Sequence, residues 1–133
     1  MSINDIQDEI IKEMSDFKSW MDKYEYLIAA GRKLKPMDNR FKKEENLLNG
    51  CQSKVWLKAE CENGIVRFYA DSEALITRGI LFLLLRVLDN HPLKEINNAD
   101  LYFIKETGLQ AHLSPVRANG LRAIVKQMKA YST

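Results

Sequence analysis

The sequence contains four thiol or imidazole side chains, the groups best suited to act as nucleophiles or zinc ligands near neutral pH. They are Cys51, Cys61, His91 and His112. No two of them stand at the Cys-x-x-Cys or His-x-x-x-His spacing that brings two ligands together locally. Zinc or cluster binding is therefore not predicted, and two cysteines are too few for a disulfide framework. Each thiol has to be weighed separately as a nucleophile.

Cys51 lies in the segment Asn49-Gly50-Cys51-Gln52-Ser53, which is predicted to connect two strands as a loop. Loops carry binding and catalytic groups more often than core elements do. Gly50 permits a positive φ or a close approach to another surface, and Gln52 and Ser53 offer polar groups beside a thiolate. This pattern suits a nucleophile. An unreactive loop residue stays open as the alternative, because thiol reactivity depends on pKa and exposure.

The other candidate groups have structural interpretations. Cys61 shares the apolar face of its strand with Val55, Leu57 and Ala59, which predicts a buried thiol. His112 is predicted to make a structural hydrogen bond at the start of the last helix, although the fold could bring it to a thiolate. The sequence lacks serine hydrolase, P-loop and dinucleotide-binding signatures.

Two amphipathic helices are predicted before the Cys51 segment. In the first, apolar side chains recur every three or four positions, with Asn4 or Asp5 as the N-cap. They are Ile3, Ile6, Ile10, Met14 and Phe17. The second helix is predicted to end at Gly31, because glycine suits the left-handed conformation that often closes a helix.

A hairpin is predicted after the Cys51 segment. Residues 55–61 alternate between apolar and polar side chains, as a half-buried strand does. Asn63-Gly64 suits a type I′ turn, and residues 65–70 are rich enough in β-forming side chains to run back as the partner. Residues 46–49 are a candidate third strand.

Helices are predicted to fill the rest of the chain. Asp71 or Ser72 is predicted to cap a long, largely buried helix that runs through Leu88 and covers the sheet. His91-Pro92 is predicted to open a short helix. Residues 101–107 are predicted to form another, which Gly108 closes. The last helix has the clearest start, with Ser114 as N-cap and Pro115 at the first helical position.

Length and composition predict one globular domain over residues 1–133, with 46% hydrophobic residues to form its core. The 20 basic and 18 acidic residues give a net charge of +2, so no nucleic acid partner is predicted. The basic stretch from Arg32 to Lys43 is predicted to be a solvated loop, with contact to nucleic acid or an acidic protein face as the alternative. The most apolar run, residues 80–85, is far shorter than the roughly 20 residues of a bilayer span. No membrane partner, no secretion signal and a cytoplasmic location are predicted.

Gly50-Cys51-Gln52-Ser53 followed by Val55-Trp56 resembles the motif around the sulfur-accepting cysteine of the SufE family. Further matches keep the family's order along almost the whole chain. They are Trp20, Tyr24, Leu27-Ile28 and Gly31 in the second helix, Asp71-Ser72 and Gly79 around the long helix, and His112-Leu113-Ser114-Pro115, Arg117, Asn119 and Gly120 near the last. Several separated matches are more specific than one short motif.

The resemblance implies an α+β fold with a small antiparallel three-stranded sheet flanked by helices, similar to the IscU-type cluster scaffolds. It implies that a pyridoxal-phosphate cysteine desulfurase, SufS-like or CsdA-like, forms a persulfide and that Cys51 takes its terminal sulfur. An iron–sulfur scaffold complex would receive that sulfur. The chain itself is expected to bind no cofactor. It would act as a carrier and desulfurase activator rather than a stand-alone enzyme, as a monomer or a homodimer.

The resemblance also implies roles in loop control and partner docking. The residues concerned are Gly50, Gln52, Ser53, Glu73, His112 and Arg117. Glu73 stands where many members have aspartate, and Arg78 where lysine is common, so side-chain reach differs while charge is kept. Three alternatives stay open: a CsdE-type acceptor for another desulfurase or sulfur pathway, an IscU- or SufU-type cluster scaffold, and a regulatory module that stimulates a desulfurase without accepting sulfur.

Overall fold

The computed structural model describes residues 1–48 and 53–131, and of His112 only the backbone. A three-stranded antiparallel sheet in the order β1-β2-β3 packs against helices, which confirms the predicted α+β class. The strands are β1 (Val55–Glu62), β2 (Ile65–Ser72) and β3 (His91–Pro92). The helices are α1 (Ile3–Met14), α2 (Trp20–Lys33), α3 (Leu75–Leu88), α4 (Leu93–Asn98), α5 (Phe103–Glu106) and α6 (Pro115–Ala130).

The β1–β2 hairpin forms where the sequence predicts it. Asn63 and Gly64 have φ values of 55° and 79°, and a type I′ turn requires positive φ at both central positions. The register places Val55 opposite Ser72, so the start of β1 lies beside the end of β2. The hairpin therefore brings the chain that follows Cys51 to the beginning of α3.

The third strand is not the predicted one. Glu44–Asn46 closes into a 3₁₀ turn, and Leu47 makes only an isolated bridge to Trp56. Asn49 lies outside the described residues. The third strand is instead β3, which pairs with Ile65 and Val66 on the other edge of the hairpin. His91-Pro92 thus extends the sheet, and Pro92 serves as the N-cap of α4.

The core lies between the sheet and α3. Along α3 the side chains of Leu81, Leu83, Leu84, Val87 and Leu88 are buried, as predicted for a helix that covers the sheet. They meet the buried face of the hairpin, formed by Val55, Leu57, Val66, Phe68 and Ala70. Within the described ranges, no helix is long and apolar enough to cross a membrane.

Helix starts were predicted with mixed success. The first turn of α6 is as predicted, since the Ser114 hydroxyl accepts the Arg117 N–H at 3.3 Å and Pro115 opens the helix. The cap of α1 is Ser2, not Asn4 or Asp5. The Ser2 hydroxyl accepts the Asp5 N–H at 3.0 Å while the Asp5 carboxylate accepts the Ser2 N–H, which forms a capping box.

Asp71 and Ser72 do not cap α3, contrary to the prediction. Both residues end β2 and are buried, and the N-cap position is held by Ala74 without a side-chain hydrogen bond. The Asp71 carboxylate instead binds Met37, Lys42 and Arg78, and a single sequence does not show these contacts.

Gly31 does not end α2, which continues to Lys33. A Cβ atom at Gly31 would lie 2.9 Å from the Leu75 carbonyl oxygen, and one at Gly79 would lie 2.1 Å from the Leu27 carbonyl oxygen. Both glycines therefore serve the close antiparallel approach of α2 to α3. By contrast, Gly108 has a φ of 70° just beyond α5, as predicted for a residue that closes a helix.

Cys61 is exposed, so its predicted place in the core is wrong. Burial along β1 fades from Val55 and Leu57 through half-buried Ala59 to the exposed residues 60–62. Cys61 lies beside the hairpin turn on an edge strand. Alternation fixes the face of a strand but not how far the covering layer extends along it.

Candidate functional site

The predicted site residues fall partly outside the part of the chain that the structure describes. Gly50, Cys51 and Gln52 lie outside it, as does the His112 side chain. Ser53, Glu73 and Arg117 are described. Of these three, Ser53 and Arg117 line one cavity, whereas Glu73 is exposed immediately after β2.

The chain before the Cys51 segment is attached to β1. The Leu48 N–H donates to the Val55 carbonyl at 2.8 Å, and Leu47 forms its bridge with Trp56. Leu48 also packs against the core. We call residues 47 and 48 the N-terminal stem.

The chain after the Cys51 segment, residues 53 and 54, is the C-terminal stem. The Lys54 carbonyl accepts the Ser72 hydroxyl at 2.8 Å and the Glu73 N–H at 3.4 Å. The two stems therefore meet at the start of β1, next to the turn that leads into α3. Glu73 contributes its backbone to this arrangement.

A cavity of about 60 Å³ opens beside the C-terminal stem, with room for a few groups of water size. Its wall is formed by the start of β1, the first turns of α3 and the first half of α6. The apolar lining is Val55, Ala74, Ile80, Val116, Leu121 and Ile124, and the polar lining includes Ser53, Thr77 and Arg117. A mostly apolar pocket with one guanidinium suits a small, polarisable and negatively charged group.

Arg117 is an exposed side chain, and one of its contacts reaches across to α2. Its Nη1 donates to the Tyr24 hydroxyl at 3.3 Å, and the Tyr24 ring packs edge-on against Trp20 with 4.0 Å between ring centroids. Tyr24 is not among the site residues predicted from the sequence. The sequence feature that could have indicated it is its spacing of four positions from Trp20, which places the two aromatic rings on one face of a helix.

Exposed apolar side chains border the cavity. Val116 lines it, Leu75 follows Ala74 of its wall, and Trp20 contacts the partner of Arg117. The exposed fractions are 44% for Trp20, 53% for Leu75 and 46% for Val116. We call these three residues the apolar rim. Exposed apolar side chains grouped beside a cavity are typical of an interaction site.

Asp71 is the most connected charge near the stems, and only 2% of it is exposed. Its carboxylate accepts the N–H of Met37 at 3.1 Å and that of Ser72 at 2.8 Å. It also pairs with Lys42 at 3.2 Å and with Arg78. Burial acts to raise the pKa of Asp71, but these hydrogen bonds and cations outweigh it and hold the pKa below its ordinary value.

Arg78 extends this cluster to α2. It donates to the Gly31 carbonyl at 3.2 Å and to the Leu34 carbonyl at 2.8 Å, two acceptors at the end of that helix. Asp71 and Arg78 thereby connect the end of α2 to the end of β2 and the first turns of α3. In residues 1–48 and 53–131, no group of three histidine, cysteine or acidic side chains is placed to hold a metal ion.

Comparisons with known proteins agree with this description. Residues 8–132 match the family SufE, described as "Fe-S metabolism associated domain". The chain is 37% identical over 122 residues to "Cysteine desulfuration protein SufE" of Wigglesworthia glossinidia brevipalpis, covering 90% of this chain and 84% of that protein. It is also 38% identical over 123 residues to "SufE-like protein 1, chloroplastic/mitochondrial" of Arabidopsis thaliana. That match covers 91% of this chain but only 33% of the plant protein.

The fold also matches a solved structure. A hypothetical protein from Thermus thermophilus, solved in solution, superimposes with a TM-score of 0.77 over 96% of this chain and 93% of the other, at 19% identity. Fold and sequence together define an α+β domain of iron–sulfur metabolism. The chain belongs to the SufE family.

Proposed function

We propose that the protein is a sulfur carrier that accepts persulfide sulfur from a cysteine desulfurase on Cys51, stimulates that desulfurase and delivers the sulfur for iron–sulfur cluster assembly. Membership of the SufE family supports this role, as does the relative named a cysteine desulfuration protein. The desulfurase keeps the pyridoxal phosphate, and this chain needs no cofactor of its own. A cytoplasmic location accompanies the proposal.

The proposed transfer is a thiol exchange without net oxidation. The Cys51 thiolate attacks the terminal sulfur of the desulfurase persulfide, and a new sulfur–sulfur bond forms as the old one breaks. The desulfurase cysteine leaves as a thiolate, and the product is a persulfide on Cys51. The rate depends on the thiolate fraction, the nucleophilicity and the access of Cys51.

The observation that carries the proposal is the cavity beside Ser53. Two residues of extended chain span at most about 7 Å, so chain connectivity limits the distance between the Cα atoms of Cys51 and Ser53 to that value. Ser53 and Arg117 line the same cavity, whose other walls are mostly apolar. A persulfide placed there would be shielded from water and reductants, and the guanidinium would favour its anionic form.

The apolar rim supports the proposed docking of a desulfurase. Such a partner has to bring its own persulfide to the cavity mouth, where Trp20, Leu75 and Val116 are exposed. Tryptophan and arginine are enriched at the energetically important centre of interfaces, and Trp20 and Arg117 supply these two residue types here. SufS-like and CsdA-like desulfurases are both candidates for this partner.

Arg117→Ala is expected to slow sulfur transfer about ten-fold or more, the range for losing a hydrogen bond to a charged group. The arginine is exposed, so the unfolding midpoint in urea should change little. Arg122→Ala is the matched control, because Arg122 is also exposed on α6 and donates to Asn119 on the same helix. Single-turnover persulfide transfer would measure both variants. Equal rates for the two would remove Arg117 from the proposed site.

The decisive experiment adds a cysteine desulfurase, its pyridoxal cofactor and L-cysteine, and locates one added sulfur atom by non-reducing mass spectrometry. We expect a reductant-labile sulfur on Cys51 that Cys51→Ser lacks and Cys61→Ser keeps. Desulfurase stimulation that survives in Cys51→Ser would instead favour a regulatory module. The carrier role would be refuted if no sulfur were added and desulfurase turnover stayed unchanged with both SufS-like and CsdA-like partners.

Metal analysis of the same preparation tests the scaffold alternative. A carrier is expected to contain neither iron nor zinc in stoichiometric amount. One metal ion or cluster per chain, lost in Cys51→Ser, would favour an IscU- or SufU-type scaffold, because ligating thiolates are what such a site requires.

A further inference from the structure

A groove of about 690 Å³ lies between the end of α2, strand β2 and the C-terminal half of α3. It is lined by residues from the ranges 33–41, 67–70 and 82–89, and we call it the β2 groove. In the part of the chain that the structure describes, it shares no lining residue with the cavity beside Ser53. Its volume falls in the range of about 300–1,000 Å³ that is usual for binding sites.

One wall of the β2 groove is formed by residues 33–38, which lead out of α2 and begin the basic stretch of the sequence. Leu34 and Met37 are buried there. The Leu34 carbonyl accepts Arg78 at 2.8 Å, and the Met37 N–H donates to the Asp71 carboxylate at 3.1 Å. This wall is therefore anchored to the rest of the fold. A preformed groove binds a segment at a lower entropic cost than one that has to be ordered first.

The apolar part of the lining comes mainly from β2 and α3. Phe68 and Ala70 are buried, whereas Phe82 and Leu85 are half-buried and stand three positions apart, on one face of α3. The Phe68 backbone is fixed as well, because its N–H donates to the Asp89 carboxylate at 2.7 Å. The half-exposed side chains of α3 would be stabilised if apolar side chains of a partner covered them.

Four cationic and two acidic side chains line the β2 groove, and part of this charge is already compensated. The cations are Lys33, Lys35, Arg67 and Arg86, and the acids are Asp38 and Asp89. Arg86 pairs with Glu9 at 3.3 Å and with Glu13 at 2.6 Å, both from α1. Asp38 pairs with Arg40 at 3.1 Å. These groups therefore add little net charge to the groove.

The remaining cations keep their charge available. Within residues 1–48 and 53–131, neither Lys33 nor Lys35 forms an ion pair, and both side chains are exposed. Arg67 reaches Asp89 only at 3.4 Å, and 53% of its side chain is exposed. The edge of the groove is therefore positive on the side of α2 and on the side of β2, with apolar surface between.

We infer that the β2 groove docks an acidic, extended segment of a partner protein, whose apolar side chains cover Phe82 and Leu85 while its carboxylates meet Lys33, Lys35 and Arg67. Opposite charge across an interface attracts the partner and fixes its register. The three cations belong to two walls, so several carboxylates along one segment match them better than one small anion does. The groove is also open, whereas small-molecule sites bury most of their ligand. This docking goes beyond the proposed function and does not depend on it.

The location of binding is tested by titrating the ¹⁵N-labelled full chain, under reductant, with a synthetic nonapeptide that alternates aspartate with leucine and phenylalanine. We expect the amide signals of Lys35, Arg67 and Tyr69 to shift in two-dimensional NMR spectra. Those of Thr77 and Leu121, which line the cavity beside Ser53, should keep their positions. Raising the salt concentration should weaken the binding, because the cations concerned are exposed.

Two further peptides separate the ionic and the apolar parts of the interaction. One replaces each aspartate by asparagine, and the other replaces each leucine and phenylalanine by serine. Each is expected to bind about ten-fold more weakly or worse, since several ion pairs or several buried apolar side chains are lost. An acidic peptide that binds equally well without its apolar side chains would show general attraction to a positive surface and would overturn the docking.

The double variant Lys33→Ala with Lys35→Ala should bind the acidic peptide about five-fold more weakly, as expected for the loss of two exposed ion pairs. Lys94→Ala with Lys105→Ala is the matched control, because both lysines are exposed, lie outside the groove and carry the same total charge. Fluorescence anisotropy of the labelled peptide would measure both variants. Equal weakening in the two would reduce the effect to net charge and contradict a specific site.

The same spectra distinguish other occupants of the β2 groove. Docking of an acidic segment would be refuted if the peptide left the groove amides unchanged. It would also be refuted if citrate, a single-stranded DNA or a higher concentration of the protein alone shifted these amides more strongly than the peptide does. Those three results would assign the groove to a small anion, to nucleic acid or to a second copy of this chain.

Discussion

Gly79→Ala should lower the free energy of unfolding by about 3 kcal/mol or more, at the upper end of what overpacking costs. The new Cβ would lie 2.1 Å from the Leu27 carbonyl oxygen and 2.7 Å from its carbon, both atoms of the α2 backbone. Backbone cannot rotate away as a side chain can, and the Leu27 side chain is itself buried. The helices would have to move apart, and α3 carries part of the cavity wall.

Urea unfolding followed by circular dichroism would measure this effect. Gly31→Ala should cost less, because its closest contacts are 2.9 to 3.1 Å. Ala29→Gly, on the exposed face of α2, gives the helix-propensity reference and should cost about 1 kcal/mol. At a helix position without steric conflict, alanine gives a more stable protein than glycine does. A stabilised Gly79→Ala would therefore contradict the close approach of α2 and α3.

Asp71→Asn should cost about 3 kcal/mol of stability, the lower end of the range for removing one partner of a buried ion pair. Asparagine keeps the shape and one acceptor oxygen, but its amide nitrogen would face one of the two N–H donors whose bonds the carboxylate now accepts, that of Met37 or that of Ser72. Arg78, with 17% of its side chain exposed, would lose its counter-charge. Asp38→Asn is the control, since Asp38 is exposed and pairs with exposed Arg40, and little change is expected there.

The pH dependence of stability gives an independent check on Asp71. Its pKa is depressed in the folded protein, so the unfolded state binds a proton more readily. The stabilisation is then fully present above the ordinary aspartate pKa of about 4 and is lost as the pH falls below it. Urea midpoints measured from pH 6 to acid should decline less steeply in Asp71→Asn than in the parent. Parallel curves for the parent and Asp71→Asn would show that protonation of Asp71 does not cause the loss of stability in acid.

Local signals in the sequence were enough to predict several elements. Ser114-Pro115 at the start of α6 and Asn63-Gly64 in the hairpin turn require particular residue types at particular positions, and the structure has both. The apolar run in α3 correctly predicted a buried helix. These features depend on residues that are close in sequence, which is why a single chain reveals them.

The wrong predictions for Gly31 and Asp71 have a physical cause in common. Gly31 is suited to ending a helix and to a close helix crossing, and only the position of α3 decides between the two uses. Asp71 is suited to capping a helix and to pairing with buried cations, and its cations come from Lys42 and Arg78. In each case the deciding partner belongs to a different element of the fold.

The candidate site divides in the same way. Residue types and the family resemblance named Cys51, Ser53 and Arg117, and the structure brings Ser53 and Arg117 to one cavity. Tyr24 was not predicted as a contact of Arg117, nor Ser72 as an anchor for Lys54. Hydrogen bonds between distant segments leave no periodic signal in the sequence. The assignment of Cys51 as the sulfur acceptor stays a prediction that the persulfide experiment tests.

The exposure of Cys61 affects how the oligomeric state of the protein has to be measured. An accessible thiol on a hairpin end can form a disulfide with the same residue of a second chain in air. Such a covalent pair would migrate as a homodimer on a non-reducing gel without any complementary interface between the subunits. Light scattering of Cys61→Ser, compared with the parent under reductant, separates this oxidation product from a true dimer held by packing.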